Sequence, residues 1–223
     1  MKLENFEGYT YVDGGVCAAR GFVANGLNAG INPDKKKNDM CLVYSQEPCS
    51  AAGVYTQNKV KGAPVIVTRE NLKKSHGIAH AILANSKNAN TCNFDGIEIA
   101  EKACRLAADQ LGIKPEEVII GSTGVIGQRL SIQPFEDYMK PLAEGMTADG
   151  NDRAAYAIMT TDTVMKQVAV EFKIGDAVCR MGGMAKGSGM IHPNMATTLN
   201  FLTSDVAITP ELIQKALSDV VKV

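Results

Sequence analysis

An α+β fold is what this sequence predicts, on three observations. Short β-favouring runs dominate the first third of the chain, helical periodicity appears in separate blocks further on, and hairpin-like turns break the two up irregularly. A doubly wound parallel sheet would need a regular strand–helix rhythm instead. Taken in order, VCAARGFVANG, DMCLVYSQ, CSAAGVYTQNKV and APVIVTRE read as strands separated by Gly, Asn, Pro and Asp clusters. HAILANSKNANTCNFDG then reads as an apolar strand entering an Asn-rich loop. A helix is predicted next: Asp95 stands at the N-cap position, Ala100, Ala103, Cys104, Ala107 and Leu111 recur at helical spacing, and Gly112 ends the run.

Pro115 opens the following segment, where VIIGSTGVIG reads as a buried strand breaking into a glycine-rich turn. PFEDYMKPLAEG and DRAAYAIMTT predict two shorter helices. Val164, Val168, Val170 and Phe172 fall on one face of an alternating strand, with Gly175 in a turn. AVCRMGGMAKGSG is a second apolar run leading into MIHPNMATTLNFLTSD. The last element, TPELIQKALSDVVKV, predicts an amphipathic helix with Thr209 at N-cap and Pro210 at N1. Its finish on Val220, Val221, Lys222 and Val223 has no cap or polar tail, so the chain is expected to stop in mid-fold.

Composition narrows the function classes. With 223 residues, 21% charged and 45% hydrophobic, the chain has the material for one large domain or two small ones. Its net charge of −1 excludes a dedicated polyelectrolyte binder, which needs a basic excess to attract phosphates. Lys35-Lys36-Lys37 is followed by Asp39 and reads as a solvated loop, so no nucleic-acid partner is expected. No stretch of apolar residues is long enough to span a membrane, and the start lacks a signal layout. A cytoplasmic location is the expectation. The cysteines form no CxxC pair and read as buried reduced thiols. His76 and His80 are four apart, but Gly77 stands where a helical zinc pair needs glutamate, so no metal site is expected.

Two stretches could carry chemistry. In GSTGVIG, glycines spaced by three let backbone N–H groups point into a cavity, with Ser122 and Thr123 adding hydroxyls. By itself that spacing fits an ordinary strand-to-helix turn, and it matches neither GxGxxG nor a P-loop. In GGMAKGSGMIHPNMATTLNFLTSD, Lys186 lies between small residues, where backbone approaches a ligand closely and an ammonium can hold a carboxylate. Thr197 enters a β-type run and on spacing alone is just a strand residue.

Taken together, the stretches AAGVYTQNKVKGAPV, ILANSKNAN, GSTGVIG, MTTDT and GGMAKGSGMIHPNMAT resemble, in the same order, the glutamate N-acetyltransferases, also called ornithine acetyltransferases, of arginine biosynthesis. The resemblance runs from about residue 8 onward, and KGSGMIHPNMAT is its most specific part. It implies a layered α/β/β/α sandwich, like that of self-processing aminopeptidases, and a precursor that cuts itself between Ala196 and Thr197. Residues 1–196 would then be an α chain and 197–223 the start of a β chain whose remainder is absent. Thr197 would be the nucleophile, Thr123 and Gly124 the oxyanion hole, and Thr160, Lys186 and Thr197 substrate-binding residues; Thr161 is the second choice beside Thr160.

The implied activity is ping-pong acetyl transfer from N-acetylornithine to glutamate through an acetyl-threonine. It needs neither metal nor bound organic cofactor, although some members also take acetyl-CoA as donor. The implied assembly after cleavage is an α2β2 heterotetramer, and the present chain alone is expected to be inactive. Two departures from the family pattern stand out: Thr198 occupies a usually apolar position, and Lys87 a position that is usually Gly. Two other readings compete, a self-processing N-terminal-nucleophile aminopeptidase or amidase that passes its acyl group to water, and a non-enzymatic binding module built on Lys186 and the glycine turns.

Overall fold

The computed structural model describes residues 6–187 and 198–221. Its elements are β1 (Tyr9–Val12), β2 (Phe22–Leu27), β3 (Met40–Ser50), α1 (Ala63–Lys74), β4 (Ile78–Asn85), α2 (Gly96–Leu111), β5 (Val118–Ser122), α3 (Gln133–Glu144), α4 (Asn151–Ala157), β6 (Lys166–Ile174), β7 (Ala177–Lys186), β8 (Leu199–Ser204) and α5 (Pro210–Val220). The strands form two four-stranded sheets, one in the order β2-β3-β4-β5 and the other β1-β6-β7-β8. Every pairing is antiparallel except β4 with β5. The predicted α+β class is the one observed.

β3 shows how the layers arise. Met40 and Leu42 enter a core with α1, α2 and α3, including Val67, Ala103, Phe135 and Leu142. Cys41 and Val43 point the other way, into a second core with Val16, Ile158 and Met184. Because both faces are covered, this stretch reads as a continuous apolar run rather than an alternation. Each large side chain fully buried there contributes about 1.5–3 kcal/mol. The order of layers is therefore α1–α3, first sheet, second sheet. The outer face of the second sheet carries Val168, Met181 and Leu202 half in solvent. No helix among the described residues is long and apolar enough to cross a membrane.

Several predicted boundaries hold. α2 buries Ala100, Ala103, Cys104 and Ala107, and Gly112 closes it with φ +67°, its N–H donating to the Ala108 carbonyl. Asp95 occupies the N-cap position but caps nothing; its Oδ2 accepts from Arg129 Nε at 2.7 Å. α5 begins as expected, with Leu212 N–H donating to Thr209 Oγ1.

Other readings need correction. APVIVTRE is not a strand but the start of α1, which buries Ala63, Pro64, Val67, Thr68 and Asn71 at three- and four-residue spacing. Its β-branched residues lower helix propensity by only a few tenths of a kcal/mol each. Burial outweighs that, and so does the service the helix gives to β5, an edge strand of the first sheet. Thr68 Oγ1 accepts from Ile120 N–H and donates to the Ile120 carbonyl, both at 2.9 Å, while Asn71 Nδ2 donates to the Val118 carbonyl at 2.9 Å. Side chains of a helix thus satisfy the backbone groups an edge strand leaves open. In CSAAGVYTQNKV only Cys49 and Ser50 are strand; residues 51–62 carry no regular element, and Gly53 N–H donates to Gln214 on α5. The strand expected in VCAARGFVANG starts only at Phe22, after a 3-10 turn over Gly15–Cys17.

Candidate active site

β5 ends in the glycine-rich turn, and its backbone amides alternate in direction. Thr123 N–H donates to the Asn85 carbonyl, Val125 N–H to Lys87 and Gly127 N–H to Thr91, each at 3.0 Å. The intervening Gly124 has φ +130°. Among the described residues, no acceptor takes the Gly124 N–H and the Thr123 hydroxyl has no partner. Two adjacent donors, one backbone and one hydroxyl, are therefore held in a fixed turn and left available. A carbonyl oxygen that gains negative charge needs such a pair.

The Asn-rich loop after β4 fixes that turn. Ser122 Oγ donates to Asn85 Oδ1 at 2.6 Å, and Asn85 Nδ2 donates to the Ser86 and Asn88 carbonyls. Asn88 Nδ2 donates to the Gln128 carbonyl at 2.9 Å, while its Oδ1 accepts from Asn90 N–H at 2.8 Å. Asn85, Asn88 and Asn90 are all buried, so these bonds are the solvation of their amides. Lys87 sits in the loop with φ +73°, a conformation glycine takes freely and other residues adopt at a cost of roughly 1–2 kcal/mol. The turn lies so close that a Cβ on Gly124 would come within 2.3 Å of the Lys87 carbonyl oxygen.

A second cluster forms where β7 ends. Lys186 is only 6% exposed. Burial pushes its pKa below the ordinary lysine value and Lys166 adds to the depression, while Asp162 works against it. Among the described residues its ammonium forms no ion pair; the carboxylate of Asp162 is taken by Lys166 Nζ at 2.6 Å. Asp162 also accepts from Gly187 N–H at 2.8 Å on Oδ1 and from Thr160 N–H at 3.3 Å on Oδ2. Burial works against the ionisation of Asp162, but these hydrogen bonds hold its pKa below the ordinary value. Thr160 is half-buried and Thr161 is exposed.

β8 links the clusters. Its register sets Leu199 opposite Lys186 and Phe201 opposite Met184 on β7. The same side chains reach the end of β5, where a Cβ on Gly121 would lie 2.9 Å from Phe201 Cζ and 3.7 Å from Leu199. β8 therefore touches the end of β5 at Gly121, two residues before Thr123, and pairs with the end of β7 at Lys186. Ala196 and Thr197 lie outside the described residues, as does the His192-Pro193-Asn194 turn. Asn85, Asn88 and Asp162 belong to the site's support and were not singled out from the sequence; the recurrence of Asn at 85, 88, 90 and 93 was the available signal.

Competing chemistries find less support in the geometry. Burial pushes the Cys41 and Cys104 thiols up to about 12 and Cys17 up to about 11, far from a reactive thiolate. Cys92 is exposed. His76 follows α1 and His80 lies within β4 with Nδ1 3.1 Å from the Ser45 carbonyl, so the two do not share a helix. Among the described residues no three His, Cys, Asp or Glu side chains gather as a metal would require. A shallow depression lined by Tyr9, Tyr11, Val168, Val170 and Phe172 lies on the outer face of the second sheet.

A family model described as the ArgJ family matches residues 23–223. The arginine biosynthesis bifunctional protein ArgJ of Symbiobacterium thermophilum is 46% identical over 211 residues, 94% of this chain and 52% of that protein. Its namesake from Gloeobacter violaceus is 46% identical over 205 residues, 92% of this chain and 50% of that protein. The chain thus spans about half the length of the curated relatives it matches. Among solved structures, the arginine biosynthesis bifunctional protein argJ from Bacillus halodurans superposes with a TM-score of 0.77 at 36% identity, covering 84% of this chain and 98% of that one. An ornithine acetyltransferase complexed with ornithine, from Mycobacterium tuberculosis, gives a TM-score of 0.76 at 36% identity over 86% of this chain and all of that one.

Proposed function

Because the chain belongs to the ArgJ family, we propose that it forms part of an enzyme that moves an acetyl group from N-acetylornithine to glutamate in arginine biosynthesis. The observation that carries this reading is the pair of donors, Thr123 hydroxyl and Gly124 N–H, unengaged among the described residues, in the turn that follows β5. Leu199, the first residue of β8, comes two positions after the proposed nucleophile Thr197 in sequence.

Cleavage between Ala196 and Thr197 would free the α-amine of Thr197, whose unperturbed pKa is about 7.7–8.0. That amine takes the hydroxyl proton as Thr197 Oγ attacks the acetyl carbonyl. The carbonyl oxygen becomes negative and receives hydrogen bonds from Thr123 and Gly124. As the C–N bond breaks, the α-ammonium of Thr197 returns the proton to the departing amine of ornithine, leaving an acetyl ester on Thr197. Glutamate enters and its uncharged amine attacks the ester; the α-amine of Thr197 takes the proton that nitrogen loses and returns it to Oγ as the ester C–O bond breaks, which frees the Thr197 hydroxyl and N-acetylglutamate. Lys186 holds the substrate carboxylate and Thr160 lines the same site. No metal or bound organic cofactor takes part, and acetyl-CoA can serve as an alternative donor through its thioester.

The lengths of the relatives support cleavage. The solved relatives are single chains covered almost entirely by part of this one, whereas the curated family proteins are about twice as long. Processing of a long precursor into two chains, 1–196 and a second beginning at Thr197, accounts for both lengths and fits an α2β2 assembly. The relative complexed with ornithine supports ornithine-type substrates. The test is to incubate the full-length protein with N-acetylornithine and glutamate. N-acetylglutamate is expected, and Thr197→Ala should abolish cleavage and transfer together. Release of acetate without glutamate would replace this reading by hydrolysis.

A further inference from the structure

Asp162 presents a chemical puzzle in a site proposed to hold a carboxylate: it is itself a carboxylate, with a side chain only 4% exposed, close to Lys186. A direct role toward an anionic substrate would be repulsive, so its use must lie in what it holds. We infer that Asp162 is a positioning residue for the substrate carboxylate, fixing Thr160 and Lys186 relative to each other by accepting Thr160 N–H on Oδ2 and Gly187 N–H on Oδ1. The inference rests on the reading that Thr160 and Lys186 bind substrate.

The geometry is specific. Thr160 lies in the loop after α4 and Gly187 directly follows the end of β7, so one carboxylate joins two segments that no strand pairing joins. A Cβ on Gly187 would stand 2.9 Å from Asp162 Oδ1, so glycine is what lets that amide come so close. Gly187 is one peptide bond from Lys186, and a shift of its amide is passed to the Lys186 backbone. Lys166, half in solvent at the start of β6, donates to the same Oδ1 and completes the carboxylate's hydrogen bonding. Removing Asp162's charge also removes the influence that opposes the depression of Lys186.

Asp162→Asn is the informative change. The amide oxygen still accepts from Gly187 and Lys166, but the amide nitrogen meets the Thr160 N–H donor to donor. In full-length protein, KM for both N-acetylornithine and glutamate should rise about 10-fold while kcat stays within about 3-fold. Asp162→Glu, which keeps the charge, should recover most of that loss. On a Thr160→Ala background the Asp162→Asn change should alter KM by less than about 2-fold, because the bond that Asn gives up is the one that holds Thr160. If Asp162→Asn yields no soluble protein, Asp162→Ser carries the same expectation, since one hydroxyl cannot serve both amides. An unchanged KM in Asp162→Asn, with wild-type transfer intact, overturns the inference alone, as does an equal loss on the Thr160→Ala background. A wild-type protein that transfers nothing overturns the functional reading and this inference with it.

Discussion

Gly124 and Gly127 share one turn and both have positive φ, +130° and +77°, yet alanine should affect them very differently. Around Gly127 nothing lies within 4 Å of an added Cβ, so Gly127→Ala meets only backbone strain. That strain, about 1–2 kcal/mol, is partly offset by the lower entropy of the unfolded chain, about 0.4–1 kcal/mol. At Gly124 the added Cβ would sit 2.2 Å from the Lys87 carbonyl carbon and 2.7 Å from Asn88 N, and both are backbone that cannot rotate away. Relief requires the turn to leave the Asn-rich loop, weakening Val125 N–H to Lys87 and Ala89 N–H to Val125. Strain and overpacking together come to about 2–5 kcal/mol. For a chain of this size 1 kcal/mol moves Tm by about 2–4 °C. Thermal melting followed by circular dichroism should show Gly127→Ala about 2 °C lower and Gly124→Ala about 10 °C lower at the middle of these ranges. Transfer by Gly124→Ala should fall about 100- to 1,000-fold, because its N–H no longer faces the oxyanion. Equal melting shifts for the two variants would refute the close approach of turn and loop.

Other expectations follow from the same structure. Thr123→Ala should lower kcat about 100- to 1,000-fold with little change in KM or Tm, read by steady-state transfer kinetics. Thr68→Val removes both bonds that close the edge of β5 at Ile120 and should destabilise by about 2–4 kcal/mol in urea melts. Asp205 accepts from Arg180 N–H, Arg20 N–H and Arg20 Nε; burial opposes its ionisation, but these bonds hold its pKa below the ordinary carboxylate value. Its stabilisation is therefore present above about pH 4 and lost as pH falls through the lowered folded value. Asp205→Asn should cost about 1.5–3 kcal/mol at neutral pH, and the gap should close in acid. Lys186 must be protonated to hold a carboxylate, and burial, with Lys166, lowers its pKa against the pull of Asp162. KM should accordingly rise at a lower pH than an ordinary lysine, at about 10.4, would give.

What could be read in advance followed local chemistry. Gly112 as a left-handed stop, Thr209 with Pro210 as a helix start, and the alternation of Val168, Val170 and Phe172 each report on a few neighbouring residues and were legible, whereas Val164, read on the same strand face, precedes β6 and is not part of it. α1 was not, because its β-branched string resembles a strand until Thr68 and Asn71 are seen closing the edge of β5 some fifty residues away. The Asn-rich loop was visible as composition, but its role depends on Asn85 meeting Ser122 across the parallel pairing of β4 and β5. The site residues came from resemblance to a family rather than from spacing. Folding pairs Lys186 with Leu199 at the start of β8 and adds Asp162, which accepts from both Gly187 and Thr160.

Intact-mass spectrometry of the full-length protein, before and after N-acetylornithine alone, tests the acetyl-threonine account most directly. The account predicts two chains divided between Ala196 and Thr197, with the second gaining one acetyl group from the donor and losing it when glutamate is added. A single uncut chain, or a cleaved chain that makes N-acetylglutamate without ever carrying the acetyl group on Thr197, would contradict it.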